Sequence, residues 1–202
     1  MRASRTRDHN NHCFRCYLRR EICVCPIVPT VRTRAEFLIL RHIQEAGRPS
    51  NTGRFVALAM PNSRIVSCGG GTRIGHSSLD DEFLRAPGTW LLWPDGTKAS
   101  PDITDLAQPD RVVVLDATWR QARRLYAREP ALRTIPRLVL PAPARYRNRL
   151  RDQHRADGMS TLEAVAAAVA KIEGAEAAEP LEVLYDEVVR RKTALRWGAR
   201  SS

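Results

Sequence analysis

The chain has 202 residues, 43% of them hydrophobic, so it can bury a core of its own and wholesale disorder is excluded. Its formal net charge of +11 favours a polyanionic partner, above all a nucleic acid. The sequence contains neither an apolar run that could span a bilayer nor the apolar segment of a secretory signal. These features predict a cytoplasmic protein without a membrane partner.

The first thirty residues divide into two predicted segments. Residues 1–12 are polar and basic, which is typical of a disordered tail. Residues 13–30 hold four cysteines in the spacing C-x2-C-x6-C-x-C, which is typical of a closed tetrahedral zinc site with a structural role. Iron remains an alternative metal. Four buried or free thiols are a poorer alternative, because the segment is too rich in charged residues to be core. The predicted metal ligands are Cys13, Cys16, Cys23 and Cys25.

Residues 31–202 are predicted to form an α/β domain, because short apolar strands alternate with helices. This alternation is typical of a mostly parallel sheet with helices on both faces. A long loop is expected over 141–158 and a short linker over 174–179. Strands are predicted over 37–40, 64–68, 89–93, 111–115 and 137–140, and helices over 53–60, 119–128 and 161–173 and from about 180 onward.

The ends of the predicted strands are the places where ligands bind in such sheets. Asp116 follows the fourth strand, where its carboxylate could accept a proton or bind an amine or a hydroxyl. The alternative is a helix-cap aspartate, with Thr118 in a capping box and Trp119 in the core. The turn after Leu92 contains Pro94 and Asp95, whose backbone could hold an adenine, although an ordinary turn is the simpler interpretation.

Two further motifs suit anionic ligands. A helix that begins after Ser160 would present backbone N–H groups to a carboxylate or a phosphate, although a capping box with Glu163 explains the same pattern. The predicted loop over 141–158 alternates arginine with other residues around Tyr146, which favours RNA phosphates and a stacked base. A solvated loop is the alternative. The predicted RNA-binding residues are Arg145, Arg147, Arg149, Arg151 and Arg155.

Taken together and in order, these motifs resemble the DTW-domain family of tRNA-uridine aminocarboxypropyltransferases. The resemblance covers about residues 13–170. It is carried by the cysteine cluster, by HIQE over 42–45 and RPSNTGR over 48–54, by LWP over 92–94, by DATW over 116–119 with Gln121, and by STLEA over 160–164.

The resemblance implies a fold related to the SPOUT class, with a trefoil knot in the C-terminal half that holds S-adenosylmethionine. It also implies transfer of the 3-amino-3-carboxypropyl group of S-adenosylmethionine to N3 of a tRNA uridine. A SPOUT-like RNA methyltransferase and a non-catalytic zinc-containing RNA-binding protein remain alternatives. DNA is not expected as a partner, because no helix-turn-helix pattern is visible.

The resemblance also implies roles for single residues. Asp116 would orient or accept the N3 proton, and Thr118 and Trp119 would shape the cofactor pocket. The oligomeric state, monomer or dimer, stays open. The predicted donor-binding residues are Leu92, Pro94, Asp95, Leu115, Ser160, Thr161 and Glu163.

Overall fold

Five parallel strands form the centre of the molecule. The computed structural model describes residues 11–69, 78–93, 108–140 and 158–198, so the predicted tail before residue 11 and the predicted loop over 141–157 lie outside the described residues. The sheet order is β2-β1-β4-β3-β5, and every neighbouring pair is parallel. The strands are β1 Glu36–His42, β2 Ser63–Cys68, β3 Thr89–Leu92, β4 Arg111–Asp116 and β5 Arg137–Leu138.

The central strands are apolar on both faces, because each face packs against helices. In β1, Phe37 and Ile39 belong to one buried cluster, whereas Leu38 and Leu40 belong to a second cluster on the opposite face. An unbroken apolar run is what a doubly covered parallel strand requires. All five predicted strands are confirmed, although β5 is only two residues long.

Helices cover both faces of the sheet, as the sequence predicts. Residues of α1, α5 and α6 share the first buried cluster, and residues of α2, α3 and α4 pack in or against the second. Among the described residues, no helix combines the length and the apolar character needed to cross a bilayer. The helices are α1 Gly53–Ala59, α2 Ser78–Arg85, α3 Trp119–Arg128, α4 Pro130–Thr134, α5 Thr161–Glu173 and α6 Ala175–Gly198.

Both predicted capping boxes are present. At the start of α3, the Thr118 hydroxyl accepts from the Gln121 N–H at 3.4 Å, and the Thr118 N–H donates to the Gln121 side chain at 2.9 Å. At the start of α5, the Ser160 N–H donates to the Glu163 carboxylate at 2.8 Å, and the Ser160 hydroxyl accepts from the Glu163 N–H at 3.3 Å. Such caps satisfy N–H groups that a helix start leaves without partners.

The last helix begins earlier than the sequence predicts. A linker was expected over 174–179, but α6 begins at Ala175, directly after Gly174 turns the chain with a φ of 101°. The residues before Pro180 are alanine and glutamate, which favour helix, and Ala178 is buried. The proline removes one backbone hydrogen bond close to the helix start, and the packing of this first turn outweighs that loss. The short helices α2 and α4 were not predicted.

The cysteine segment is part of the main core. Cys16, Leu18 and Val24 are buried in the same cluster as the residues of α1, α5 and α6. Arg191 of α6 donates to the carbonyl of Cys23. The segment over 13–30 therefore rests on the α5–α6 side of the sheet.

Candidate functional site

The carboxyl ends of the parallel strands meet along one edge of the sheet. His42 lies opposite Cys68 at the ends of β1 and β2, and Arg41 lies opposite Asp116 at the end of β4. Trp93 follows directly after β3. Asp116 lies at the centre of this edge, because β4 lies between β1 and β3.

Asp116 is buried and is held by two side chains from distant parts of the sequence. The residue is 5% exposed. The Thr161 hydroxyl donates to Oδ1 at 2.6 Å, and the Asn51 amide donates to Oδ2 at 2.5 Å. Asp116 thus joins the end of β4 to the segment before α1 and to the start of α5.

Burial raises the pKa of Asp116 above the ordinary value of an aspartate. The hydrogen bonds from Thr161 and Asn51 act in the opposite direction, as does the charge of Arg41, whereas the carboxylate of Glu45 adds to the increase. The two donors therefore offset part of the penalty that burial imposes on the charged form.

Gly53 allows the start of α1 to lie against this carboxylate. A Cβ added at Gly53 would lie 2.5 Å from Oδ2 of Asp116 and 2.8 Å from its Cγ, which is closer than real Cβ atoms approach. The carbonyl oxygen of the Asn51 side chain accepts from the Arg54 N–H at 3.3 Å, so the amide that binds Asp116 is itself fixed at the helix start. A side chain at position 53 would separate these groups.

The beginnings of α1 and α5 are joined beside Asp116. The Thr52 hydroxyl accepts from the Leu162 N–H at 3.3 Å, so a residue of one helix start satisfies an N–H group of the other. Of the residues predicted at this helix start, Thr161 reaches Asp116, whereas Ser160 and Glu163 bind each other in the capping box.

An aromatic group borders the edge beside Asp116. The ring of Trp93 lies 5.4 Å from that of Trp119 and 4.7 Å from that of Tyr126, measured between centroids. Trp119 is 36% exposed, and Trp93 is buried. The Arg137 guanidinium donates to the Tyr126 hydroxyl at 2.8 Å, which holds the Tyr126 ring in place. Trp119 thus presents a supported aromatic surface to solvent.

Among the described residues, the hydrogen-bond donors to the Asp116 carboxylate are Asn51 and Thr161, so the predicted residues Leu92, Leu115 and Thr118 are not among them. Leu92 is buried, Leu115 is partly buried, and Thr118 is exposed at the start of α3. Pro94 and Asp95 lie outside the described residues, as do the predicted RNA-binding residues Arg145, Arg147, Arg149, Arg151 and Arg155.

Asn51 and Gly53 were not predicted as site residues, because residues 50–52 are typical of a helix cap. A usable signal was present, since RPSNTGR over 48–54 is one of the motifs that carry the family resemblance. Asn51 and Asp116 are 65 positions apart in the sequence, so the spacing of residues within a motif cannot reveal their contact.

The four clustered cysteines are positioned to hold a metal ion. Their Sγ atoms all lie within 4.8 Å of one another, with Cys13 3.6 Å from Cys25 and Cys16 3.7 Å from Cys23. A tetrahedral zinc with Zn–S bonds near 2.3 Å separates its sulfur ligands by about 3.8 Å, so the arrangement fits this geometry.

The thiols differ in their ease of ionisation. Burial acts to raise the pKa of Cys13, but hydrogen bonds with the backbone of Cys16 and Arg15 and with the side chains of Cys23 and Cys25 together outweigh it and lower the pKa to about 6. Burial raises the pKa of Cys16 and of Cys25, and neighbouring cysteines raise it further. Because burial and the neighbouring cysteines disfavour the ionisation of Cys16 and Cys25, a bound cation would be needed to hold all four residues as thiolates.

The family model described as the DTW domain matches residues 10–193. The match covers the cysteine cluster, the Asp116 edge and most of α6. No solved structure matches the chain at a significant level.

Curated relatives match over much of the chain. tRNA-uridine aminocarboxypropyltransferase 2 of Drosophila melanogaster is 29% identical over 171 residues, which cover 82% of this chain and 68% of the relative. The protein of the same name from Mus musculus is 24% identical over 82% of this chain and 58% of the relative. tRNA-uridine aminocarboxypropyltransferase A of Arabidopsis thaliana is 27% identical over 56% of this chain and 49% of the relative. The chain thus spans between about half and two thirds of these relatives.

Proposed function

We propose, because this chain belongs to the DTW domain family, that it is a tRNA-uridine aminocarboxypropyltransferase. It would transfer the 3-amino-3-carboxypropyl group of S-adenosylmethionine to N3 of a uridine in tRNA. The names of the curated relatives support this reaction, and the net charge of +11 supports an RNA substrate.

The observation that carries the proposal is the convergence of three family-like motifs on one carboxylate. Asn51 and Gly53 come from the motif over 48–54, Asp116 from the motif over 116–119, and Thr161 from the motif over 160–164. A helix cap alone requires none of these contacts. Their meeting at the carboxyl edge of a parallel sheet, where ligands bind in such folds, supports a catalytic site.

The donor supplies a sulfonium, which activates its side-chain γ-carbon for displacement. The carbon–sulfur bond breaks, a carbon–nitrogen bond to N3 forms, the N3 proton passes to solvent water, and the thioether departs with the bonding electron pair. Leu92, Leu115, Pro94 and Asp95 are the residues that we assign to the adenosine. Ser160, Thr161 and Glu163 are assigned to the amino acid end, with Glu163 acting through its cap on Ser160.

For Asp116 the geometry favours an orienting role over that of a freely accessible base. Both carboxylate oxygens accept hydrogen bonds from protein groups, and the side chain is nearly inaccessible to solvent. Asp116 would hold Thr161 and the start of α1 in place, so that N3 and the γ-carbon meet in line. Thr118 and Trp119, at the start of α3, would shape the pocket on the acceptor side.

We also propose that the cysteine cluster binds structural zinc. Four thiolates close a tetrahedral shell and leave no position for a substrate. This zinc knuckle over 13–30 would support the catalytic domain over 31–202. We assign that domain to the SPOUT-related folds, with a trefoil knot in its C-terminal half. A sheet order in which β4 enters between β1 and β3 supports the assignment.

The experiment is nucleoside mass spectrometry of tRNA after incubation with the purified chain and S-adenosylmethionine. We expect a uridine that has gained the aminocarboxypropyl group, and we expect Asp116→Ala to lose the transfer while it retains tRNA binding. A uridine that gains only a methyl group would identify a methyltransferase. A chain that binds tRNA but not S-adenosylmethionine would be an RNA-binding protein, and the proposal would be wrong.

A further inference from the structure

The outer side of α3 carries a row of arginines that the predicted RNA-binding loop does not include. Their positions differ by three, four and eight, which places them on one side of a helix. All four side chains are exposed, and α3 contains neither aspartate nor glutamate. We call this row the α3 arginine stripe, and it consists of Arg120, Arg123, Arg124 and Arg128.

Among the described residues, the stripe differs from the arginines of α6 and of the cysteine segment, which have carboxylate neighbours. On α6, Arg190 and Arg191 both bind Glu187 at 2.6 Å, and near the knuckle Arg19 lies 3.5 Å from Glu21. Within the described ranges, none of the four stripe guanidiniums forms an ion pair. Like charges that lie three or four residues apart destabilise a helix, so this arrangement is disfavoured unless an anion lies against it.

The position of the stripe connects it to the candidate site. α3 begins three residues after Asp116, and its first residue is Trp119. At a rise of 1.5 Å per residue, the stripe extends over about 12 Å from the site edge along the helix. The exposed ring of Trp119 lies at the site end and is backed by Trp93.

We propose that the α3 arginine stripe binds the phosphate backbone of the RNA substrate and leads the acceptor nucleotide to Trp119, on which a base stacks. Guanidiniums bind phosphate oxygens in a planar, two-pronged geometry. An aromatic ring beside a basic groove is a stacking surface for an unpaired base. This inference rests on the proposed function, and it adds the direction from which RNA enters the site.

The test compares the salt dependence of tRNA binding by the wild-type chain and by Arg123→Gln/Arg124→Gln. These two arginines lie in the middle of α3, away from Asp116, and glutamine favours helix as arginine does. Each lost phosphate contact lowers the slope of log K against log salt by about 0.7. For two contacts we expect a slope smaller by about 1.4 and, at about 0.15 M salt, roughly tenfold weaker binding.

The matched control is Arg19→Gln/Arg190→Gln, which removes the same charge from exposed arginines that already have carboxylate partners. We expect its slope to match the wild type. A stripe variant with an unchanged salt slope would overturn the proposal. A control whose salt slope and tRNA affinity fall as much as those of the stripe variant would also overturn it. Displacement of tRNA by an equal concentration of duplex DNA would overturn RNA as the specific occupant.

Trp119→Ala tests the stacking surface. We expect it to weaken the binding of a single-stranded uridine-containing oligonucleotide by about tenfold or more, since one stacked base contributes about 1–3 kcal/mol. Because a stacked base releases no counterion, the salt slope of Trp119→Ala should match that of the wild type. An unchanged affinity for the oligonucleotide would exclude stacking at this ring.

Failure of the stripe and failure of the transfer reaction remain distinguishable. S-adenosylmethionine binding, measured by calorimetry, should be equal in the wild-type chain and the stripe variant. If the wild-type chain modifies tRNA but the stripe variant keeps its tRNA affinity, the stripe does not bind RNA, and the proposed reaction is retained. If the wild-type chain modifies no tRNA but the salt slope of tRNA binding is still smaller in the stripe variant, the stripe binds RNA and the proposed reaction is wrong.

Discussion

Replacement of Gly53 by alanine places a methyl group against the carboxylate of Asp116. The added Cβ would lie 2.5 Å from Oδ2, whereas ordinary contacts begin near 3.4 Å, so the two groups must separate by about 0.9 Å. Asp116 is a short side chain, and its two oxygens are held by Asn51 and Thr161. The carboxylate therefore cannot move aside without the loss of a hydrogen bond.

Two effects of opposite sign decide the stability of Gly53→Ala. A hydrogen bond to a charged group contributes about 1.5–3 kcal/mol, and its loss destabilises the fold. Alanine stabilises a helix over glycine by about 0.5–1 kcal/mol. We expect a net loss of about 1–2 kcal/mol, which lowers the Tm by about 2–8 °C for a chain of this size. Displacement of the site by about 1 Å should lower kcat by about a hundredfold.

The assay is thermal unfolding followed by circular dichroism, together with the tRNA transfer reaction, in a double-mutant cycle with Asp116→Ala. Once the carboxylate is absent, the helix effect remains alone, and Gly53→Ala should be neutral or stabilising in that background. Equal destabilisation in both backgrounds would show that the clash with Asp116 is not the cause. A fully stable and active Gly53→Ala chain would refute the close packing itself.

Three further predictions concern the same site and the metal cluster. Thr161→Val, which removes the donor to Oδ1, should reduce the free energy of unfolding in urea by about 1–3 kcal/mol, whereas Thr161→Ser should retain it; equal losses would exclude the hydroxyl as the cause. The folded-state pKa of Asp116 is raised, so the contribution of this residue to stability is complete below the unfolded pKa of about 3.9 and is lost as pH rises through the folded pKa. In urea titrations at increasing pH, the wild type should therefore lose stability relative to Asp116→Asn. A stability difference between the two chains that does not change with pH would contradict the raised pKa. Cys16→Ser should lower the zinc content measured by atomic emission, and Cys68→Ser, outside the cluster, should not; zinc retained in Cys16→Ser would remove that residue from the ligand set.

The regular elements could be predicted where local signals agree. The starts of α3 and α5 are encoded by capping boxes, and the central strands by unbroken apolar runs. The predicted start of α6 near residue 180 is too late, because Pro180 resembles a first-turn proline. The burial of Ala178, which depends on the tertiary fold, extends the helix back to Ala175.

The candidate site could be predicted in part. The end of an apolar strand indicated Asp116, and a helix start indicated Thr161. The partners Asn51 and Gly53 could not be derived from spacing, because their contact depends on how α1 packs beside β4. Glu163 was expected near the donor, and its contact in the structure is the cap on Ser160.

The most direct measurement of the reaction follows two labels of S-adenosylmethionine in parallel. One preparation is labelled in the carboxyl carbon and the other in the methyl group, and each is incubated with tRNA and the purified chain. We expect the carboxyl label to enter tRNA and the methyl label to remain in the released thioether. Methyl label in tRNA without carboxyl label would contradict aminocarboxypropyl transfer and would identify the chain as a methyltransferase.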